Sequence, residues 1–376
     1  MAVGYDYILG KLRKVDQGGP AGPPGPPGPA PTQANVLAAL EYYDEDIANT
    51  PAILPSAAGN FAVAIGDGAV SSGSYSVVTG GLNNTASNTY AVVGGGLGNV
   101  ASGIASVICG GQTNLVSAES SAICGGSSNV CTTPQSVICG GQTNSITVGV
   151  GRSFIGVGLN NETESADSFI GAGSNNEIEA SSERSIIITG SDNFIGTGSE
   201  GSTILSGTSC EVDPSSPYCL VSGKDVLAHT AGMNVRATDS FTVTGDQQVS
   251  DVILKTATTD AILKELSANN SGLNTGIKIR ADITMSFELH ITARRTAGAA
   301  TIGDSMYRVI RGCVKDVAGV LSFVGNIACD DQFEDAGAVA WVISLSASAA
   351  KLQIEVTGEI GETIHWLCQA KITEIG

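Results

Sequence analysis

The sequence Ser106-Val-Ile-Cys-Gly-Gly-Gln-Thr-Asn114 occurs again, unchanged, at Ser136–Asn144. Between residues 59 and 223 the same pattern recurs in degenerate form, with a step of fifteen residues over most of that length. The turn residues that keep this step are Gly81, Gly96, Gly111, Gly126, Gly141, Asn84, Asn99, Asn114, Asn129 and Asn144. A fixed short period of this kind predicts a stack of similar structural units.

Each repeat consists of a short β-branched strand followed by a Gly-Gly or Gly-x-Asn turn. Fifteen residues are too few for a strand and a helix, and they fit one turn of a β-solenoid in which every rung hydrogen-bonds to the next. Because glycine and asparagine tolerate positive φ, we expect both residue types at the corners of the rungs. The chain is therefore predicted to be all-β.

Pairs of adjacent apolar residues mark the strands of the repeats. These pairs are Val77-Val78, Val92-Val93, Val107-Ile108, Ala122-Ile123, Val137-Ile138, Phe154-Ile155 and Phe169-Ile170. Neighbouring residues on a strand point to opposite faces, so one face fills the coil and the other needs a cover that a thin solenoid lacks. We expect other copies of the same chain to supply that cover.

A second signal for association precedes the repeats. Residues 18–31 contain four Gly-X-Y triplets that place Gly19, Gly22, Gly25 and Gly28 at every third position. Only glycine fits at the axis of a collagen triple helix, so this segment predicts a short collagen-like neck. The alternative is a polyproline linker that stays single. Both signals favour a homotrimer with its threefold axis along the repeats.

Composition excludes several classes of function. Glycine supplies 49 of 376 residues, charged residues only 14%, and hydrophobic residues 42%, which is unlike a disordered chain. A net charge of −18 disfavours nucleic acid as a partner. No apolar run reaches the ~18 residues of a membrane helix, so we expect no membrane insertion. Nine cysteines, an odd number, and the absence of a secretory signal favour synthesis in a reducing cytoplasm.

The unit at residues 106–114, with Ala101-Ser102-Gly103 before it, resembles the head repeats of trimeric autotransporter adhesins. Similar repeats occur in bacteriophage and other viral fibres. The resemblance covers residues 59–200 and implies an intertwined, trimeric left-handed β-roll. Because the sequence lacks the adhesins' signal peptide and membrane-anchor barrel, it is more similar to a viral or phage fibre or spike, an analogy of architecture.

In such a fibre, residues 1–17 are expected to anchor the trimer to a capsid or tail protein of the virion. The residues predicted to dock there are Tyr5, Tyr7, Ile8, Lys11, Arg13 and Lys14, which include the densest basic cluster of the chain. The alternative is a solvated terminus. Residues 32–58 form a predicted connector, in which Asn35–Tyr43 has helical spacing.

The C-terminal part reads as a globular β domain, with a transition at 224–249 and a head at 250–376. Alternation of apolar residues over 277–291 predicts one long strand. Further strands are expected at 241–245, 250–257, 305–316, 319–326, 338–347, 351–358 and 364–374, with one helical turn at Thr259–Ser267. This pattern favours an antiparallel β-sandwich of the jelly-roll or tumour-necrosis-factor-like type.

Few residues point to chemistry, and we expect no catalytic residue, no metal and no cofactor. The ladder Cys109, Cys124 and Cys139 is interpreted as buried small residues, with soft-metal binding as the alternative. A disulfide between Cys210 and Cys219 is a further alternative to free thiols. The acidic segment 330–335 is expected to be a solvated loop, and calcium binding is the other possibility. His290, on the polar face of its strand, is read as a hydrogen-bonded histidine rather than a metal ligand.

The leading hypothesis is a homotrimeric phage fibre on the virion surface. Its head is expected to bind a host surface receptor, glycan or protein, without performing chemistry. A capsid decoration protein without a receptor role is one alternative. A tailspike-type glycan depolymerase is the other, although residues 59–150 carry only Asp67 and Glu119 as acids.

Overall fold

The computed structural model describes residues 4–8, 11–15, 56–147, 151–268 and 275–376. The chain divides into two units, residues 1–51 and 52–376. In the first unit, β1 (Gly4–Ile8) and β2 (Lys11–Val15) form an antiparallel pair. The collagen-like triplets and the predicted helix at Asn35–Tyr43 lie outside the described residues and stay predictions.

The second unit begins with a β-solenoid of about twelve turns, which confirms the fold predicted from the fifteen-residue period. Its strands are β3 (Ser56–Ala57), β4 (Val63–Ala64), β5 (Val70–Ser71), β6 (Val77–Val78), β7 (Thr85–Ala86), β8 (Val92–Val93), β9 (Val100–Ala101), β10 (Val107–Ile108), β11 (Leu115–Val116), β12 (Ala122–Ile123), β13 (Val130–Cys131), β14 (Val137–Ile138), β15 (Ser145–Ile146), β16 (Phe154–Leu159), β17 (Glu162–Thr163), β18 (Phe169–Ser174), β19 (Glu177–Ile178), β20 (Ile186–Ile187), β21 (Gly190–Ser191), β22 (Phe194–Ile195), β23 (Thr203–Thr208), β24 (Glu211–Val212), β25 (Leu220–Lys224), β26 (Leu227–Ala228) and β27 (Asn234–Ala237).

These short strands stack in two parallel ladders, one on each side of the coil. Val107 of β10 lies between Val92 of β8 and Ala122 of β12, and Leu115 of β11 lies between Val100 and Val130 in the opposite ladder. The second residue of each pair points inward. The fully buried inward residues include Val78, Val93, Ile108, Ile123, Ile138, Ile155, Ile170, Ile187, Ile204 and Val221 on one side, and Ala86, Ala101, Val116, Ile146, Ile178, Ile195 and Val212 on the other.

A column of buried asparagine amides runs along the turns. The Asn114 amide donates to the carbonyls of Gly110 and Gly126, and its Oδ1 accepts the backbone N–H of Asn129 at 3.0 Å. The same pattern links Asn84, Asn99, Asn114, Asn129, Asn144, Asn161, Asn176 and Asn193. The expected positive φ is found at the turn glycines, such as Gly111 (+98°), and at the residue before each asparagine, such as Thr113 (+53°). The asparagines themselves serve as hydrogen-bond links between rungs.

The head follows with β28 (Gln247–Thr258), β29 (Lys264–Glu265), β30 (Ile277–Lys278), β31 (Thr284–Ala297), β32 (Ser305–Val317), β33 (Val320–Phe323), β34 (Ala328–Glu334), a 3-10 turn at Ala336–Ala338, β35 (Val342–Ser348), β36 (Lys351–Thr357) and β37 (Thr363–Ile375). One antiparallel sheet has the order β28, β37, β31, β32, with β33 and β34 along the outer edge of β32. A four-stranded sheet pairs β36 with β35, β29 and β30.

The head and the transition before it differ from the sequence prediction in several places. The strand expected at 241–245 is a turn, because the Asp246 carboxylate accepts the backbone N–H groups of Phe241, Thr242 and Val243 that a strand would use. The long strand expected at 277–291 is broken around Asp282, which has a φ of +58°. The helical turn expected at Thr259–Ser267 is absent, and β29 lies there instead.

Strand β27 joins the solenoid to the head. It pairs in parallel with β25 of the last rungs and antiparallel with β28, so the solenoid sheet continues into the head sheet. A buried polar cluster lies beside this junction. His229 Nε2 and Gln248 Nε2 both contact the Glu374 carboxylate, at 2.9 Å and 2.5 Å, and Gln248 also bonds both backbone groups of Leu227.

The head also buries one arginine. Arg295 is 1% exposed and forms ion pairs with Asp304 at 2.5 Å, Glu359 at 2.7 Å and Glu362 at 3.3 Å. Its guanidinium lies 5.5 Å from the centre of the Trp341 ring. The surrounding core includes Trp366, whose indole N–H donates to Thr258.

Candidate functional site

A shallow groove of about 540 Å³ crosses the outer face of the head sheet. It is lined by Lys255, Thr256, Ala257, Thr292, Ala293, Arg294, His365, Trp366 and Leu367, from β28, β37 and β31. Strand register fixes the geometry: His365 lies between Ala257 and Arg294, and Leu367 lies between Lys255 and Thr292. Directly opposite side chains on neighbouring strands are about 5 Å apart at Cβ, so three basic side chains share one small area.

The groove is basic in an acidic chain. No aspartate or glutamate lines it. Among the described residues, Lys255 and Arg294 have no ion pair, whereas Arg295, Arg308 and Arg311 do. On β28, β37 and β31 the next row of the sheet carries Ile253, Gln369 and His290, and the row after it carries Asp251 and Glu288. Lys255 and Arg294 therefore face solvent without an ion-pair partner among the described residues.

Aromatic side chains extend the same row of the sheet. Register places Tyr307 beside Thr292, and Phe333 beside Tyr307. The two rings are 6.3 Å apart, and Phe333 is 65% exposed. An apolar surface thus adjoins the basic groove on its β32 side.

His290 belongs to a hydrogen-bond network next to the groove. Its ring nitrogens contact Glu288 at 2.5 Å and the Tyr307 hydroxyl at 2.8 Å. Hydrogen bonds from Arg311 and His290 hold the pKa of Glu288 at about 2. His290 is thus a hydrogen-bonded histidine, as expected from the sequence.

The acidic segment 330–335 is a strand for most of its length, not the expected loop, because β34 pairs with β32. Arg311 binds Asp330, and Arg308 binds Glu334 at 2.8 Å. Ion pairs therefore occupy two of the four candidate calcium ligands, Asp330 and Glu334, and Asp335 accepts a hydrogen bond from the Ser305 N–H. Among the residues that the structure describes, no group of three or more His, Cys, Asp or Glu side chains has a metal-binding arrangement.

A group of four glutamates on the solenoid was missed by the sequence interpretation, which looked for acids only between residues 59 and 150. Glu162 and Glu177 are register partners on adjacent rungs, and Glu164 and Glu179 follow on the same face. Burial, then the charges of Glu162, Glu179 and Glu164, raise the pKa of Glu177. On its other side, Glu177 lies next to Phe194. The fifteen-residue period, applied to residues 162–179, would have found this group.

The cysteines are free thiols. Cys109, Cys124 and Cys139 form a ladder, but they are exposed rather than buried as expected, because their strand position faces away from the coil. Cys210 and Cys219 are both buried and are not joined by a disulfide. The Cys210 thiol donates to Gly223 O, and the Cys219 thiol donates to Thr230 O. Burial raises the pKa of Cys219 to about 11, which leaves it unreactive.

The predicted anchor residues lie in the first unit of the chain. The described part of residues 1–17 is the backbone of β1 and β2, which carries Tyr5, Tyr7, Ile8, Lys11, Arg13 and Lys14. Docking through these residues stays a prediction. Across the described segments, no helix is long and apolar enough to cross a bilayer.

Neither a protein-family model nor a curated protein matches the chain. Solved structures with some likeness are phage tailspikes. The tailspike of Acinetobacter baumannii phage AM24 is 8% identical, with 91% of this chain and 80% of that chain covered and a TM-score of 0.24. The tailspike gp49 of Acinetobacter baumannii bacteriophage Fri1, described as a capsular polysaccharide depolymerase, is 7% identical, with 80% and 81% covered and a TM-score of 0.20. The tailspike of Acinetobacter phage vB_ApiP_P1 is 8% identical, with 85% and 75% covered and a TM-score of 0.20.

The sequence analysis predicted that the chain is not an enzyme, and the comparison with solved structures contradicts this prediction. One of the similar tailspikes is described as a depolymerase, so absence of chemistry no longer stands as a prediction for this chain. At these identities and TM-scores no residue role is carried over from the tailspikes to this chain.

Proposed function

We propose that the chain is a homotrimeric phage fibre or spike on the virion surface, which binds a host surface receptor through its head. The observation that carries this proposal is the head sheet with its unpaired basic groove, held at the end of a regular solenoid by continuous strand pairing. The N-terminal segment is proposed to bind a capsid or tail protein, with the collagen-like neck above it. For the head we propose a jelly-roll or tumour-necrosis-factor-like arrangement.

The trimer is supported by apolar surface on the outside of the solenoid. Phe61, Tyr75 and Tyr90 form a stacked column with ring centres 5.2 and 5.3 Å apart. Phe61 is 79% exposed. Rows of exposed rings on an otherwise regular solenoid fit a surface that other chains cover, as do the outward-facing valines at Val77, Val92 and Val107.

Two measurements on the purified full chain test this function. Analytical ultracentrifugation is expected to give three times the chain mass of 37.9 kDa. Excess protein is expected to block adsorption of particles that carry this chain to their host cells, because the heads compete for the same receptor. A species with one chain mass would contradict the trimer. Undiminished adsorption would favour the capsid decoration role instead.

The glutamate group favours a second function, hydrolysis of a glycan. A carboxylic acid with a raised pKa beside ionised carboxylates is the pairing that general acid catalysis of glycoside cleavage requires. Glu177 has the raised pKa, and Glu162, Glu164 and Glu179 are its carboxylate neighbours. Glu179 is held by the backbone N–H and hydroxyl of Thr197, at 2.8 and 2.6 Å, so it is oriented as a fixed acceptor.

Replacing Glu177 by glutamine is expected to abolish release of reducing sugar from purified host polysaccharide, because the acid proton is lost. At a pH high enough to ionise the Glu177 carboxyl, the same variant is expected to gain about 0.2–1 kcal/mol of stability, because the like charges of Glu162 and Glu177 on adjacent strands then repel each other in the unaltered protein. Reducing-sugar assays and thermal melts measure the two effects. Glu119→Gln, an exposed acid elsewhere on the solenoid, is the control and should change neither. Absence of release by the unaltered protein would rule out this second function.

A further inference from the structure

We propose that the basic groove of the head binds the carboxylate of an acidic saccharide, such as a uronic or sialic acid unit of a host surface polysaccharide. The inference rests on the proposed attachment function of the head and names the chemical class of its ligand. The groove comprises Lys255, Thr292, Arg294, His365 and Leu367 on three neighbouring strands.

The positive charge of the groove favours an anionic ligand. The chain has a net charge of −18, and Arg152, Arg308 and Arg311 each pair with one of its carboxylates, whereas Arg294, like Arg236, has no such partner among the described residues. Arg294 instead lies beside His365, with Lys255 diagonally across β37, and the groove lining contains no carboxylate. A guanidinium fork binds a carboxylate through two parallel hydrogen bonds, and the ammonium group of Lys255 adds a second cation.

The apolar and hydroxyl groups of the groove favour a sugar as the part of the ligand that carries the anion. Thr292 supplies a hydroxyl that can donate or accept, and Leu367 supplies an apolar floor between the cations. Tyr307 and the exposed Phe333 ring continue the same row, where the C–H face of a second sugar unit can rest on an aromatic surface. The groove is open and three strands wide, about 10 Å, which matches one or two sugar units of a polymer that enters from the side.

Isothermal titration of the full chain with oligogalacturonate and with oligosialate tests the inference. Binding to at least one acidic oligomer is expected, and its affinity should fall as salt is raised because exposed charges are screened. The methyl ester of oligogalacturonate keeps the sugar rings and loses the charge, so it should bind at least about tenfold more weakly. Equal binding of acid and ester, equal binding of inorganic phosphate, or no binding of either acidic oligomer would overturn the proposal.

Variants locate the site. The double variant Lys255→Gln/Arg294→Gln removes both exposed cations and should weaken binding about 10–100-fold, as expected for lost charge-assisted hydrogen bonds. Lys315→Gln/Lys351→Gln removes the same charge outside the groove and should bind as the unaltered protein does. Unchanged binding by the groove variant would overturn the assignment. If the trimer forms and blocks particle adsorption without binding acidic oligomers, the ligand class fails while the proposed attachment function stands.

Discussion

Replacing Arg295 by methionine is expected to destabilise the head by about 3–5 kcal/mol, the largest single effect that we expect. The substitution removes the only cation in contact with Asp304, Glu359 and Glu362 among the described residues, and it leaves the nearly buried Glu362 carboxylate without a counter-charge. The contact with the Trp341 ring is lost as well. Urea unfolding followed by tryptophan fluorescence measures the loss selectively, because both tryptophans of the chain, Trp341 and Trp366, lie in the head.

Arg294→Met is the matched control. Arg294 is the neighbouring residue on the same strand, but its side chain is exposed and unpaired. This control should change the free energy of unfolding by no more than about 0.5 kcal/mol. If Arg295→Met unfolds at the same urea concentration as the control, the buried ion cluster does not stabilise the head.

Asn114→Ala is expected to destabilise the middle of the solenoid by about 1–3 kcal/mol, because the buried N–H of Asn129 loses its acceptor and two partly buried hydrogen bonds to carbonyls are lost with it. The carbonyls of Gly110 and Gly126 lose a donor, and the N–H of Asn129 loses its acceptor. Alanine offers no polar atom to replace them. Amide hydrogen exchange followed by mass spectrometry should show faster exchange in rungs 95–145 and unchanged exchange in the head.

Gln112→Ala is the control, since Gln112 lies two residues away on the same rung with an exposed side chain. Its exchange pattern should match that of the unaltered protein. If Asn114→Ala speeds exchange only at residue 114 and not in the adjacent rungs, the amide column does not couple the rungs to one another.

The period of the sequence was sufficient to predict the solenoid, because a fifteen-residue step fixes both the length of a rung and the register of its strands. It did not decide which residue of each apolar pair points inward, because alternation on a two-residue strand leaves both choices open, and the expected burial of Cys109 had the wrong parity. The role of the asparagines was not predictable from spacing. A recurrent asparagine fits a left-handed corner as well as a buried amide, and only the backbone shows that Thr113, rather than Asn114, has the positive φ.

In the head, alternation identified strands but not where they stop. The predicted strand at 277–291 is interrupted at Asp282, whose N–H donates to the distant Asp316. The strand predicted at 241–245 is replaced by a local turn around the Asp246 carboxylate, which apolar alternation does not report. The basic groove was also not predictable, because Lys255, Arg294 and His365 come from three strands that are far apart in the chain. The glutamate group could have been predicted from the sequence, because the fifteen-residue period alone places Glu162 beside Glu177.

The hydrogen bonds of the asparagine column all run in the same direction along the chain. Every Oδ1 accepts from the rung that follows it in the chain, so each completed rung exposes one unfilled acceptor to residues that have not yet joined. Each acceptor therefore lies where the rung fifteen to seventeen residues further along the chain docks, so the contacts of the column are between neighbouring rungs. Cys210 ends the column: its N–H fills the Asn193 acceptor at 3.1 Å, and its thiol offers no amide to extend the series. The rungs of β25, β26 and β27 that follow continue the solenoid by strand pairing, beyond the last amide of the column.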